Sequence, residues 1–263
     1  MSLYRAAKLS SLLLIDADIL AYQVAARNQA TFQWPDAERS VIVADFAEAA
    51  DELHGAIVSL QQRLGADEVA ICLSDDFVNW RKDILPTYKG NRAATERPEL
   101  LYPLKEWLAE RPEAMRRPTL EADDVMGIMS THPRPKGYIG WDKVIVSIDK
   151  DMQSIPGWLF NPDKDDEPRW ITPESADYYH LFQTLTGDVC DNYKGCPGIG
   201  PVKAHKVLLE NAEDPWSAIV DIYEAKGLTE ADALVQAQVA RICRYSDYNF
   251  KDKKVIPWKP KKL

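Results

Sequence analysis

The chain has 263 residues, 46% of them hydrophobic, so it can bury a full core. No apolar run approaches the ~20 residues that a membrane span needs, and the short run Leu12-Leu13-Leu14-Ile15 ends in Asp16, which excludes a secretory signal; a cytoplasmic protein is expected. The four cysteines form no C-x-x-C pair and the four histidines are far apart, which excludes a disulfide scaffold and a His/Cys zinc site. The net charge of −9 argues against nucleic-acid binding until its distribution is considered. Of 41 acidic residues, eight gathered at one metal site would leave 33 facing 32 Lys and Arg, a nearly neutral remaining surface.

In chain order, Leu12 to Ile15 has the pattern of a buried strand, and a helix follows to about Arg27. Residues 45–64 place Phe46, Ala49, Leu53, Ile57, Leu60 and Leu64 at three- and four-residue spacing, which predicts an amphipathic helix stopped by Gly65. EVAICL, residues 68–73, is a second buried strand. The stretch from Asn79 to Arg92 is basic, aromatic and weakly periodic. Residues 98–110 predict a helix with Pro98 in its first turn, and a further helix opens around Glu121. VIVSI, residues 144–148, is a third buried strand. Helices are predicted at 173–186, 201–210, 216–226 and 230–243, with the glycine-rich turn 195–200 before the second of them. A basic, extended tail begins at Lys251, free to touch DNA. Strands alternating with helices imply a central, mostly parallel sheet with flanking helices.

Acidic residues follow each of the three strands: Asp16, then Asp75 with Asp76, then Asp149 with Asp151. One such aspartate reads as a solvated turn; three of three do not. In open α/β sheets the ligand crevice lies beyond the carboxyl ends of the strands. Glu121, Asp123 and Asp124 fall in one first helical turn, and Asp188 and Asp191 are three residues apart before the glycine turn. Brought together, such groups repel: two like charges ~4 Å apart cost about 4 kcal/mol at an effective dielectric of about 20. Cations relieve that cost, and oxygen-only donors select hard ions, Mg²⁺ or Mn²⁺. Two ions roughly 3.5–4 Å apart suit phosphodiester hydrolysis without a protein nucleophile.

The ordered motifs IDAD, SDDFVNWRKDILPTYKGNR, LEADDV, SIDKDM and GDVCDNYKGCPGIGPVKAHKVL resemble the flap-endonuclease superfamily of 5′ nucleases, in particular the stand-alone 5′→3′ exonucleases of short-tailed lytic phages. The likeness spans residues 12–258. It implies two Mg²⁺ ions, replaceable by Mn²⁺. Asp16, Asp76, Glu121 and Asp123 would hold the first, and Asp149, Asp151, Asp188 and Asp191 the second, with Asp124 between them. Counting back from Asn79-Trp80-Arg81 favours Asp76, with Asp75 as the alternative. Lys89 and Arg92, at the start of a helical arch, would contact the scissile phosphate and stabilise its transition-state charge, with Arg81 steering nearby. Tyr22 and Tyr88 would offer stacking surfaces. Gly195, Gly198, Ile199 and Gly200 would form a helix–hairpin–helix turn that meets a phosphate through backbone N–H groups, bridged by K⁺, with Lys203 and Lys206 adding charge. Two positions depart from the family pattern: Ala17-Asp18 follows the first aspartate where glycine is common, and Gln23 stands where some relatives carry arginine.

The expected architecture is one 5′ nuclease domain: a catalytic core over 12–172 with an arch at about 81–118, a helical region over 173–250 with its DNA-binding hairpin at about 188–210, and the tail 251–263. The expected activity is metal-dependent 5′→3′ exonuclease action by a monomer on DNA with a 5′ end, whether duplex, nick or flap, extending to RNA–DNA hybrids. The alternatives are a strictly structure-specific flap endonuclease and a catalytically inactive DNA-binding protein.

Overall fold

The first apolar run forms β1 (Ser11–Asp16), all six of whose residues are buried. A computed structural model describes residues 10–32, 41–94 and 96–260, and shows β1 at the centre of a six-stranded sheet. It pairs in parallel with β4 (Glu68–Leu73) on one side and β6 (Asp142–Val146) on the other. Central position explains the continuous hydrophobic run, because both faces of such a strand are covered. β5 (Ala114–Arg116) extends the sheet beyond β4; β7 (Gly157–Phe160) and the antiparallel β8 (Arg169–Ile171) extend it beyond β6.

Alternation along the strands builds two cores. Leu13, Ile15, Ile71 and Val144 face α1 (Ala17–Arg27), α2 (Phe46–Leu64) and α4 (Leu101–Ala109). Leu12, Leu14, Ala70 and Ile145 face α5 (Ala122–Thr131) together with Met152, Ile155 and Ile242. Each fully buried aliphatic side chain contributes ~1.5–3 kcal/mol. The ends of α2 are as predicted: the Asp45 side chain accepts from Ala47 and Glu48 N–H, and Gly65 closes the helix in the left-handed region at φ 62°. Gly127 lets α5 pass close to the chain at Cys243, whose carbonyl oxygen would lie 2.4 Å from an added Cβ.

Several boundaries differ from expectation. The helix expected at 98–110 begins at Leu101, and Pro98 stays in the preceding turn, accepting from Leu101 N–H. β6 ends at Val146, two residues before the expected end, so Ser147 and Ile148 lead to Asp149. β5, β7, β8 and a hairpin of β2 (Gln29–Phe32) and β3 (Val41–Ala44) have three or four residues each, too few for periodicity to reveal. The range expected for the arch divides. It contains α3 (Arg81–Ile84) and a 3₁₀ turn at Gly90–Ala94, but α4 and β5 belong to the sheet body.

The C-terminal third is helical, with α6 (Pro173–Thr186), α7 (Pro201–Glu210), α8 (Pro215–Glu224) and α9 (Glu230–Ala240) around Leu185, Leu208, Ile219 and Tyr223. The tail does not hang free over its described part. β9 (Tyr248–Asn249) pairs with β10 (Lys254–Val255), and the Trp258 ring lies 5.0 Å from that of His180 and 5.2 Å from that of Trp216. The tail's Lys261 and Lys262 lie outside the described residues, as do Arg5 and Lys8. Among the described residues, no helix is long and apolar enough to cross a membrane.

Candidate active site

The parallel strands deliver their carboxyl ends to one cleft. Asp16, the last residue of β1, caps α1 by accepting from Ile19 N–H at 3.2 Å and also accepts from the Ser147 hydroxyl at 2.7 Å. Ser147 Oγ in turn accepts from Asp149 N–H at 3.0 Å, so one hydroxyl ties the loops after β1 and β6 together. Burial pushes the Asp16 carboxyl up to about 7, and Asp18 and Asp149 add to the rise against the pull of the Ser147 hydrogen bond. Asp123, on the first turn of α5, is raised well above its ordinary value by burial and then by Asp16 and Asp149. Burial and Asp149 also lift Asp151 to about 6. Asp16, Asp123, Asp149 and Asp151 therefore occupy one field, in which every added negative charge is resisted.

Lysines sit in the gaps between carboxylates. Lys89 pairs with Glu121 and lies 3.5 Å from Asp191; Arg92 reaches Asp191 at 2.6 Å. Lys150 bridges Asp188 at 2.6 Å and Asp151 at 3.3 Å. Buried Lys105 pairs with Asp76 and reaches Asp18 at 3.0 Å. Burial raises Glu121, but Lys89 and Arg81 prevail and hold it at about 2. Among the described residues, no three acidic, histidine or cysteine side chains close into a ready-made ion cage. Glu121, Asp76 and Asp188 are each paired with a lysine instead. The donors themselves fit a hard cation: all are oxygens, several are crowded in the ionised form, and Asp151 Oδ1 is buried without a well-directed hydrogen bond.

The turn 87–92 is stitched to the segment carrying Asp188 and Asp191. Lys89 N–H donates to Asp191 O, the Asn91 amide to Val189 O, and the Asn192 amide to Thr87 O. Asp188 is fixed by Cys190 N–H at 2.7 Å and Asp191 N–H at 3.3 Å. Behind it, Gly187 and Gly195 touch backbone to backbone: a Cβ on Gly195, at φ 63°, would lie 2.3 Å from Gly187 N.

Residues 11–157 match the family described as 5′-3′ exonuclease, N-terminal resolvase-like domain. The exonuclease of Escherichia phage T7 is 33% identical over 95% of this chain and 93% of its own, and the exodeoxyribonuclease of Enterobacteria phage T3 is 33% identical over the same shares. The chain belongs to the 5′–3′ exonuclease family. This exonuclease has the fold of the T5 D15 protein co-crystallised with metal ions, with a TM-score of 0.62 at 16% identity, covering 88% of this chain and 93% of that one.

Five of the expected roles are corrected by the geometry. Arg81 does not face a phosphate: it is buried, its Nη1 and Nη2 donating to Asp124 at 2.7 and 2.8 Å, Nη1 also to Glu121, Nη2 to Arg241 O and Nε to Val239 O. Asp124 is likewise not placed between two ions. Both its oxygens are taken, by Arg81, by Trp80 Nε1 at 2.9 Å and by Cys243 N–H at 3.0 Å. Tyr88 is buried rather than offered to a base, and its hydroxyl donates within the acid network, with Asp191 at 2.8 Å and Glu121 at 3.0 Å. Ile199 turns into the helical core and its N–H donates to Cys196 O. Gly195 N–H donates to Gln236 Oε1 and is not open to a phosphate.

Of the adjacent pair after β4, Asp75 caps its own turn through Phe77, Val78 and Thr119 N–H, whereas Asp76 faces Lys105 and Arg116. Gly198 and Gly200 are exposed at the entry to α7, in open space. Lys203 Nζ donates to Gly198 O at 3.1 Å, and Lys206 is exposed beside Glu210. Motif reading missed Ser147, Lys150 and Lys105. The first two lie inside the third acidic motif, where a serine and a lysine among aspartates are the available signal. Lys105 has none, being an ordinary helix residue in sequence.

Proposed function

We propose that this exonuclease removes nucleotides from the 5′ end of duplex DNA by metal-dependent phosphodiester hydrolysis. The convergence of Asp16, Glu121, Asp123, Asp149, Asp151, Asp188 and Asp191 beside Lys89 and Arg92 is the observation that carries this reading. Asp16, Glu121 and Asp123 would hold one Mg²⁺ or Mn²⁺ ion, and Asp149, Asp151, Asp188 and Asp191 a second. Asp76 joins the first set only on release from Lys105 and Arg116. Bound ions supply activation of water and charge neutralisation at the attacking and leaving oxygens.

The chain's own residues do the rest. Ser147 holds Asp16 and the start of the Asp149 loop in fixed relation. Lys89 and Arg92, drawn from carboxylates toward a phosphate, bind it and stabilise its added charge. The exposed backbone at Gly198 and Gly200, at the positive end of α7, with Lys203 and Lys206, holds the duplex backbone without sequence preference. A K⁺ ion would bind there by replacing the Lys203 ammonium on Gly198 O. The enzyme acts as a monomer, in the cytoplasm, and also accepts RNA–DNA hybrids.

A 5′-labelled duplex incubated with Mg²⁺ and with EDTA tests the reading, with nicked, flap and RNA–DNA substrates in parallel. The expected result is mononucleotide release from the blunt duplex in Mg²⁺ alone. Cutting confined to flaps would make it a flap endonuclease, and binding without cutting in Mg²⁺ or Mn²⁺ would make it an inactive DNA-binding protein.

A further inference from the structure

The sequence motifs leave one exposed feature beside the cleft without a role. Phe77 is 88% exposed and Val78 54%, on the turn between β4 and α3. Exposing a large aromatic side chain forgoes a substantial part of its burial energy. The turn that carries it is nevertheless rigidly held. Phe77 and Val78 N–H donate to Asp75 Oδ1 at 3.0 and 3.3 Å, Thr119 N–H to Asp75 Oδ2 at 2.8 Å, and Trp80 N–H to Thr119 O at 3.1 Å. The Asp75 carboxylate and one backbone bond tie this turn to Thr119, so Phe77 is presented and not merely loose.

The turn forms one wall of a cavity of about 520 Å³, into which half-exposed Tyr22 projects from α1. Lys82, Arg92 and Arg97 line the same cavity, together with Lys89 and Glu121 of the cleft. Apolar and aromatic surface beside cations, opening onto the reacting groups, matches one nucleotide: a flat base with a phosphate attached. Asp18, Asp76 and Glu96 also line it, and the first two are already paired with Lys105.

We propose that Phe77 is the stacking platform for the base of the 5′-terminal nucleotide, the one about to be released. This rests on the 5′ nuclease reading above. The base lies against the ring, its phosphate is drawn toward Arg92 and Lys89, and the pinned turn keeps the ordering cost low. Because every base has a flat face, the contact is indifferent to sequence, as an exonuclease requires.

The test compares wild type, Phe77→Ala and Phe77→Trp on duplexes whose 5′-terminal nucleotide carries either a base or an abasic sugar. Removing one stack of this kind is worth about tenfold in kcat/KM. Wild type should cut the base-bearing end about tenfold better. Phe77→Ala should lose that preference and leave the abasic rate unchanged, and Phe77→Trp should keep it. Unaltered thermal unfolding of Phe77→Ala checks the fold. A Phe77→Ala variant within twofold of wild type on the base-bearing end, or equally slowed on both ends, overturns the proposal. A second arm places 2-aminopurine at the 5′ end and supplies Ca²⁺ in place of Mg²⁺, so that binding is read by fluorescence quenching. Wild type should quench the probe and Phe77→Ala should not; equal quenching overturns the stack. A wild type that quenches but never cuts in Mg²⁺ sinks the nuclease reading and leaves the stacking contact standing.

Discussion

Replacing Arg81 tests whether its guanidinium is a fixed structural part or a phosphate contact. The side chain is 2% exposed and donates five hydrogen bonds, three to carboxylate oxygens and two to the backbone carbonyls of Val239 and Arg241. Its principal partner, Asp124, has no exposure at all. Arg81→Ala leaves that carboxylate with only backbone N–H groups, of Cys243 and Glu121, and Trp80 Nε1, and strands two carbonyls. Breaking a buried pair costs about 3–5 kcal/mol, and each orphaned carbonyl adds about 1–3 before water enters the space. A net loss of about 5 kcal/mol is expected, a fall in Tm of about 10–20 °C for a chain of this size. Arg81→Lys keeps the charge but cannot reproduce the planar fork, and should lose about half as much. Arg81→Met with Asp124→Leu removes both charges together and should recover most of the loss. Urea unfolding in EDTA, with KM for duplex DNA measured in parallel, provides the readout. An Arg81→Ala variant within about 1 kcal/mol of wild type but with a much raised KM would refute the buried-pair account.

Further outcomes follow from the same contacts. The folded-state values of Asp16 and Asp151, about 7 and about 6, lie above their ordinary 3.8. A carboxyl raised on folding holds protons that the unfolded chain releases, so metal-free stability should fall as pH rises from about 4 to 7, by on the order of 4 kcal/mol for Asp16. Glu121, held low, works in the opposite sense below about pH 5 and contributes fully above it, so the fall is read from about pH 5 to 7. Mg²⁺ should therefore raise Tm more at pH 8 than at pH 5, and a flat metal-free Tm over that range would contradict the crowding of these acids. Gly195→Ala should cost about 3 kcal/mol, because its Cβ meets Gly187 and Leu185 backbone, whereas Gly198→Ala, in open space, should cost only about 1–2 for its φ of 74°; equal losses in urea unfolding would count against the close backbone contact. Tyr88→Phe keeps the ring and removes the hydroxyl that reaches Asp191 and Glu121, so stability should drop by about 1–3 kcal/mol with no change in preference between base-bearing and abasic ends. Asp149→Asn and Asp151→Asn should each abolish Mg²⁺-dependent cutting without lowering metal-free Tm; near-normal turnover in both would remove them from the second ion site.

The central strands were legible because burial on both faces leaves an unbroken apolar run, as in Leu12 to Ile15 and Ala70 to Leu73. Apolar spacing and the stop at Gly65 made α2 legible, while the Asp45 cap emerged only in the structure. The flanking strands β5, β7 and β8 were not, because three or four residues carry no period and their place is fixed by pairing with β4 and β6. At the site, position along the chain revealed which stretches of acid meet but not what each acid does there. Adjacent Asp123 and Asp124 look interchangeable in sequence; a helical step of about 100° turns one into the cleft and the other into the core against Arg81. Likewise Tyr88 and Ile199 look like contact residues until tertiary packing encloses them. Basic residues 81–92 read as one charged stretch, yet Arg81 is interior and Arg92 half-exposed.

The ammonium groups wedged between carboxylates give the cleft its own counter-charge. On the proposed assignment, a divalent ion taking Glu121 or Asp188 as a ligand would compete there with Lys89 or Lys150. A lysine so displaced would have an incoming phosphate as a new partner, in competition with Asp191 for Lys89 and Asp151 for Lys150. Loading of metal and capture of DNA would then be two halves of one exchange of partners, each expected to raise affinity for the other.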